Sequence, residues 1–335
     1  MRRLQDPRRN PRTPDGGLSP SGRTPPPAAI PCGRFAPSPT GPLHFGSLVT
    51  ALASFLDCRH VHGRWQVRIE DLDQARVLPG AAEAHLRTLE RFGLGWDGPV
   101  LRQSQRGAHY AAALRQLQAA GALYPCTCSR AEIARAGRMG SEGPIYPGTC
   151  RNRRHALTGP HALRVRIGSA PILWQDAIQG PQCHDLATLC GDFVVRRADG
   201  VVAYQLAVVV DDAAQGVNRV TRGADLIAST PRQIHLQRLL GLPTPRYAHV
   251  PLALDGRGEK LAKRLGAAAV ATGEPAPLLC QALAFLGQAV PPDGPRLGVG
   301  ELIDWAIAHW EPARIPRGSG WPAPPLPEPS GSGRA

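Results

Sequence analysis

The sequence predicts an α/β fold built on a parallel sheet, and three observations carry that expectation. A Pro/Gly-rich loop, Arg34 to Ser47, runs straight into an apolar helix with Leu48, Leu52 and Phe55 on one face. Trp65-Gln66-Val67-Arg68-Ile69 reads as a strand, followed by one helix with Leu86, Leu89 and Phe92 on a face and another with Tyr110, Leu114 and Leu117. Strands alternating with helices are the rhythm of a parallel sheet with helical cover. Finally, Glu70 and Asp71 close the strand, at the carboxyl end where open parallel sheets bind ligands.

In chain order, residues 1–32 are rich in Arg and Pro without an apolar run, so they predict a disordered tail rather than a signal peptide or membrane span. Residues 33–122 form the first half of the sheet domain. An insertion over 123–190 carries a cysteine cluster, and 191–265 completes the sheet. Within that second half, Tyr204 to Asp212 is apolar and ambiguous between a strand and a helix. Two helices, around Leu279 to Leu286 and Leu302 to Trp310, make 266–315 a helical region, and 316–335 reads as a second Pro/Gly/Ser-rich tail.

The formal net charge is +13; the first 33 residues, with six Arg and two Asp, hold +4 of it. A basic body suits a polyanion such as RNA, although an Arg-rich composition from a GC-biased genome gives the same number. Eight Cys at irregular spacing, with no export signal, point to a reducing compartment and to thiols or metal ligands.

Two stretches carry the chemistry. The loop ends at His44 and Gly46 and opens a helix, whose free backbone N–H groups attract an anion. Gly46 permits close approach, and His44 can donate to a phosphate oxygen as charge develops there. The second stretch is Lys260-Leu261-Ala262-Lys263-Arg264, and Lys260 and Lys263 are the only lysines in the chain. Where Arg serves every general purpose, two lysines three apart point to a task for a compact ammonium, such as neutralising a triphosphate. The alternative for Glu70, Asp71 and Asp73 is surface pairing with Arg68 and Arg76, with Tyr204 in the core.

Cys126-Thr127-Cys128, expected at the end of a helix, and Cys150 on a returning loop make a zinc-like layout. Spacing leaves the fourth ligand open, with His155 or His161 as the default, and three reduced cysteines without metal as the alternative. Cys183-His184 and Cys190 read as structural thiols, and Cys32, Cys58 and Cys280 are isolated.

Together these motifs resemble class I aminoacyl-tRNA synthetases of the glutamate type, with a HIGH-like loop at His44 to Ser47 and a KMSKS-like loop at Lys260 to Arg264. The likeness runs from about Gly33 to about Ile315 and includes Arg68 to Asp73, Ala203 to Asp212 and Arg222 to Leu226. More narrowly, the chain is similar to the short glutamyl-Q tRNA(Asp) synthetases, which lack an anticodon-binding domain; 71 residues follow Arg264 here. One departure is Ala262 where the family usually has Ser, with Arg264 where it often has Gln, which leaves Lys263 as the stronger carry-over.

The resemblance implies a Rossmann-like parallel sheet with an inserted zinc-bearing subdomain and a short C-terminal helical region. It places Arg34, Phe35, Ala36, Pro37, Ser38, Glu70, Tyr204 and Arg222 around a bound glutamate. Charge supports this, because glutamate needs cationic forks at Arg34 and Arg222 and an anion, Glu70, for its ammonium. His44, Gly46, Ser47 and Lys263 would bind ATP, with catalytic roles for His44, Gly46, Lys260 and Lys263. Tyr146 would join Cys126, Cys128 and Cys150 around one structural Zn²⁺. The implied activity is ligation: glutamate attacks ATP, which carries Mg²⁺, and passes from glutamyl-adenylate to queuosine in the anticodon of tRNA(Asp). The expected setting is a cytoplasmic monomer with no membrane contact. The alternatives are a truncated glutamyl-tRNA(Glu) ligase and a non-catalytic zinc- and RNA-binding relic.

Overall fold

The first βαβ unit sets the architecture. The computed structural model describes residues 30–153, 159–260, 270 and 273–324. Residues 1–29 and 325–335, His155 and the lysine loop from Leu261 to Arg264, with Lys263, lie outside the described residues, whereas Cys32 and Gly320–Pro322, read as tail from the sequence, sit in strands. Strand β1 (Cys32–Phe35) leads through helix α1 (Phe45–Arg59) to β2 (Arg64–Ile69), which runs parallel to β1. Helix α2 (Ala81–Arg91) then leads to β3 (Leu101–Arg102), parallel to β2. The predicted strand and helix faces are found where the sequence put them. Leu52, Leu56, Trp65, Val67 and Leu89 are fully or almost fully buried in one core.

Helix α3 (Gly107–Ala119) stops because Gly121 adopts a left-handed conformation, φ 66°. The N–H groups of Gly121 and Ala122 turn back to the carbonyls of Gln118 and Leu117, satisfying the helix end. The chain then enters β4 (Leu123–Cys126). Cys126-Thr127-Cys128 therefore leaves a strand, not the helix end the sequence suggested, because the glycine turn ends α3 before the cysteines are reached.

Helix α4 (Arg130–Ala136) begins with a capping box between Ser129 and Glu132, and β5 (Met139–Gly140) and β6 (Gly143–Pro144) make a small hairpin. Next, β7 (Ala162–Val165) lies between β4 and the later β10 (Phe193–Arg196) in an antiparallel sheet. Strands β8 (Ile172–Asp176) and β9 (Gly180–His184) form a hairpin followed by the short α5 (Leu186–Leu189).

Tyr204 to Asp212 is helical, within α6 (Tyr204–Ala214). The helix packs against α3 and against α7 (Thr230–Leu240) and buries four consecutive residues, Leu206 to Val209. A segment buried on several sides carries no hydrophobic period, which is why the sequence left it ambiguous. Strand β11 (Arg219–Gly223) runs parallel to β12 (Arg246–Val250), and β12 is parallel to β8 at Tyr247 and Asp176. The strand order is completed by β11 abutting β1. Asn218 bridges their starts, its N–H reaching the Cys32 carbonyl at 3.0 Å and its side chain accepting the Cys32 N–H at 2.8 Å.

Strand β13 (Leu252–Leu254) pairs with β14 (Gly320–Pro322), while α8 (Pro275–Phe285) and α9 (Val299–Ala308) complete the core over α1. The described residues from Pro31 on form one compact unit. Among the described residues no helix is long and apolar enough to cross a membrane. The order β3-β2-β1-β11-β12 places a topological switch between β1 and β11, and a ligand crevice is expected beyond their carboxyl ends.

Candidate active site

A cavity of about 420 Å³ occupies that crevice. Its wall includes Arg34 and Phe35 at the end of β1, Ala36 to Ser38 after it, Glu70 after β2, Tyr204 at the start of α6, and Arg222 and Gly223 at the end of β11. His44, Gly46 and Ser47 line the other side, with Lys260 at the rim. Every described residue that the sequence assigned to glutamate or ATP thus borders one cavity.

His44 is the N-cap of α1, its Nδ1 accepting the Ser47 N–H at 3.3 Å. That bond makes Nε2 the protonated nitrogen of a neutral ring, the one able to act as a donor to an oxyanion. Gly46 sits beside the same ring: a Cβ there would lie 3.2 Å from His44 Cε1 and 3.3 Å from Nδ1. The glycine is thus explained by room for His44 as well as by access for a ligand.

Beneath the cavity lies a buried charge network. Asp212 Oδ1 accepts from Arg34 Nε at 3.2 Å and from Arg68 Nη1 at 2.6 Å, while Arg68 Nη2 donates to Glu70 Oε1 at 3.2 Å. Arg68 is 0% exposed and Arg34 4%. Burial alone would raise the Asp212 carboxyl, but Arg34 and Arg68 outweigh it and hold it low. Glu70 is pushed up, by burial first, with Arg68 and Arg34 opposing. Since Asp212 takes only Arg34 Nε, the two-amino edge of that guanidinium remains for a carboxylate in the cavity. Arg68 and Glu70 are therefore not the surface pair considered as an alternative; only Asp73 and Arg76 are, 2.9 Å apart and partly exposed.

Asp211 points the other way, accepting from Arg106, Gln103 and Tyr110 and tying α6 to α3 and its preceding turn. Arg222 is held on three sides. Nε donates to His249 Nε2 at 3.0 Å, Nη1 to Gln233 Oε1 at 2.8 Å and Nη2 to Thr230 Oγ1 at 2.8 Å. Lys260 Nζ forms an ion pair with Asp225. His249, Gln233, Thr230 and Asp212 were not singled out from the sequence. Asp212 and Asp225 stood inside the quoted motifs but without a role, and a buried Arg calling for an acid was the available signal.

In the insertion, the thiols of Cys126, Cys128 and Cys150 all lie within 4.8 Å of one another. The Tyr146 hydroxyl is 3.4 Å from Cys126 Sγ and 3.9 Å from Cys128 Sγ, and accepts the Cys150 N–H at 2.8 Å. Tetrahedral zinc with bonds of about 2.3 Å sets sulfurs about 3.8 Å apart, so the soft donor set and its spacing fit such an ion. Arg164 stacks over the Tyr146 ring at 3.8 Å and donates to Cys126 Sγ at 3.2 Å. His161 is turned to the Gly159 carbonyl at 3.0 Å instead.

Residues 32–277 match the family described as tRNA synthetases class I (E and Q), catalytic domain. The chain is 53% identical over 301 residues to a Glutamyl-Q tRNA(Asp) synthetase of Geobacter sulfurreducens, covering 88% of this chain and 95% of the relative. It is 55% identical to one of Thiobacillus denitrificans, covering 85% and 94%. Among solved structures, a glutamate tRNA ligase from Elizabethkingia meningosepticum in complex with its amino acid superposes with a TM-score of 0.72 at 25% identity. The match covers 87% of this chain and 66% of that one. The parallel sheet, the switch-point cavity and these likenesses agree: the chain belongs to the class I tRNA synthetase (E and Q) family and is an ATP-dependent ligase.

Proposed function

We propose that this enzyme activates L-glutamate with ATP and transfers it to queuosine in the anticodon of tRNA(Asp). The observation that carries the reading is one cavity bordered by two buried guanidinium groups, a carboxylate and a helix N-terminus capped by His44. Arg34 and Arg222 would take the carboxylates of glutamate, Glu70 its ammonium, and Tyr204 a hydrogen bond; Phe35, Ala36, Pro37 and Ser38 would shape the floor. The names of the relatives support the queuosine acceptor.

In this reading a glutamate carboxylate oxygen attacks the α-phosphorus of ATP in line, the bond to the β-phosphate oxygen breaks and pyrophosphate leaves. His44 Nε2, Gly46 and Ser47, in a HIGH-like loop, hold the phosphates at the start of α1. Lys260, released from Asp225, and Lys263 of the KMSKS-like loop meet charge moving onto pyrophosphate. Mg²⁺ carried with ATP would neutralise the triphosphate. A queuosine hydroxyl then attacks the glutamyl carbonyl, forming an ester and releasing AMP. Cys126, Cys128, Tyr146 and Cys150 would hold one structural Zn²⁺ that fixes the loop after β4.

Glutamate-dependent ATP–pyrophosphate exchange tests the first half, with exchange expected in the absence of tRNA. Exchange only after tRNA is added would favour a glutamyl-tRNA(Glu) ligase. Labelled glutamate given to total tRNA with and without queuosine tests the second half, and label independent of queuosine would overturn it.

A further inference from the structure

The glutamate reading leaves unexplained why Arg222, one of its two carboxylate forks, is surrounded by partners that are not substrate. One of them is His249, 0% exposed, on β12 beside Arg222 on β11. Arg222 Nε always carries its hydrogen, so at 3.0 Å the His249 Nε2 must accept. The remaining proton is then on Nδ1, which faces Asp176 Oδ2 at 2.5 Å. Asp176, 1% exposed at the end of β8, is fixed by accepting the N–H groups of Ile178, Gln179 and His249 at its other oxygen. Proton direction is thus determined along the whole line, from Arg222 to His249 to Asp176. A cation on His249 would abolish the acceptor and set two positive charges side by side in a buried site. Burial, and then Arg222, do lower the tendency of His249 to protonate.

We propose that His249, locked in one tautomer by Asp176, is the positioning residue that aims Arg222 at the substrate carboxylate. It does so by taking the Nε hydrogen, so that the guanidinium bordering the cavity is left to share its amino hydrogens between Gln233, Thr230, the Leu226 carbonyl and the ligand. Gln233 and Thr230 fix the rotation of the same fork from α7. His249 therefore acts on binding of the amino acid and not on the phosphates of ATP, which lie by His44 and Lys260. This inference rests on the reading that Arg222 binds glutamate.

The test is steady-state pyrophosphate exchange by the full-length enzyme with His249→Phe, His249→Gln and Arg222→Ala. His249→Phe keeps a ring but removes the acceptor, and is expected to raise the glutamate KM about tenfold or more while leaving the ATP KM within about twofold. His249→Gln, whose amide oxygen can accept from Nε, should recover most of the loss. In the Arg222→Ala background, His249→Phe should add nothing. Equal rises in both KM values, or full additivity with Arg222→Ala, would show a merely structural histidine and overturn the proposal. Should His249→Phe not fold, Asp176→Asn carries the test. An amide donating to Nδ1 turns Nε2 into a donor facing Arg222, and the same selective rise in glutamate KM is expected; no rise overturns it. If Arg222→Ala itself leaves the glutamate KM unchanged, the fault lies with the glutamate reading. If it raises that KM and neither His249→Phe nor Asp176→Asn does, the relay alone is wrong.

Discussion

Replacing Asp212 by asparagine asks whether the buried charges under the cavity act as one unit. The substitution keeps size and one acceptor oxygen but removes a charge that faces Arg68 at 2.6 Å and Arg34 at 3.2 Å. Two guanidinium groups are then balanced by Glu70 alone. Removing one partner of a buried ion pair costs about 3–5 kcal/mol. Here Arg68 keeps Glu70 and a 2.9 Å bond to Gln215, so the expected loss falls below that range, at about 2–3 kcal/mol. Urea unfolding at pH 7 followed by circular dichroism measures it, with an unchanged m-value as the check on two-state behaviour. The sign with pH is fixed. Arg34 and Arg68 depress the Asp212 carboxyl against burial, so its stabilisation is present above the unfolded value of about 4 and fades as pH falls further. The gap between wild type and Asp212→Asn should therefore be full at neutral pH and close on acidification. A second readout follows from geometry: Arg68 would draw Glu70 away from the cavity, and the glutamate KM should rise. A stability loss below about 1 kcal/mol, or a gap that widens towards acid, would refute the picture of a coupled buried network.

Three further outcomes are expected. Gly46→Ala should hold or slightly raise stability, by up to about 1 kcal/mol from helix propensity, yet lower the exchange rate at least about tenfold by displacing the His44 ring; unaffected exchange would discount that ring. Purified protein should contain one zinc per chain by elemental analysis, lost on combining Cys126→Ser with Cys150→Ser, whereas metal retained by that double variant would place it elsewhere. His249, buried and kept neutral, costs stability as pH falls below about 6.5, where the unfolded chain takes up the proton; His249→Gln should flatten this fall by up to about 1.4 kcal/mol per pH unit below that value, and an unchanged slope would mean that His249 protonates without strain.

Elements with one buried face were legible in the sequence. The strand ending at Glu70 and the helices bearing Leu89 and Leu117 each show a period, and the loop from Arg34 to Ser47 declares itself by its turn residues and its apolar sequel. Tyr204 to Asp212 was not legible because burial on several sides erases the period. The cysteines after β4 were assigned to a helix end because the reversal at Gly121 is a backbone event of one residue. The site was half legible. Residues facing a ligand carry recognisable chemistry, but those facing other residues do not: Asp176 and His249 are 73 positions apart, and only the parallel pairing of β8 with β12 makes them neighbours.

That pairing bears on how the chain could be taken apart. The cysteine-bearing insertion reads as a removable module, yet it returns β8 and β9 to the edge of the catalytic sheet before the second half begins. Cutting at 123 and 190 would strip both of these strands and leave the carbonyl and amide edge of β12 open to solvent and to other chains. A graft or truncation that respects the protein's own seams would keep 172–184 with the sheet and exchange only the antiparallel layer and the thiol loop. Engineering a different acceptor preference into this enzyme thus begins with a smaller piece than the linear sequence outlines.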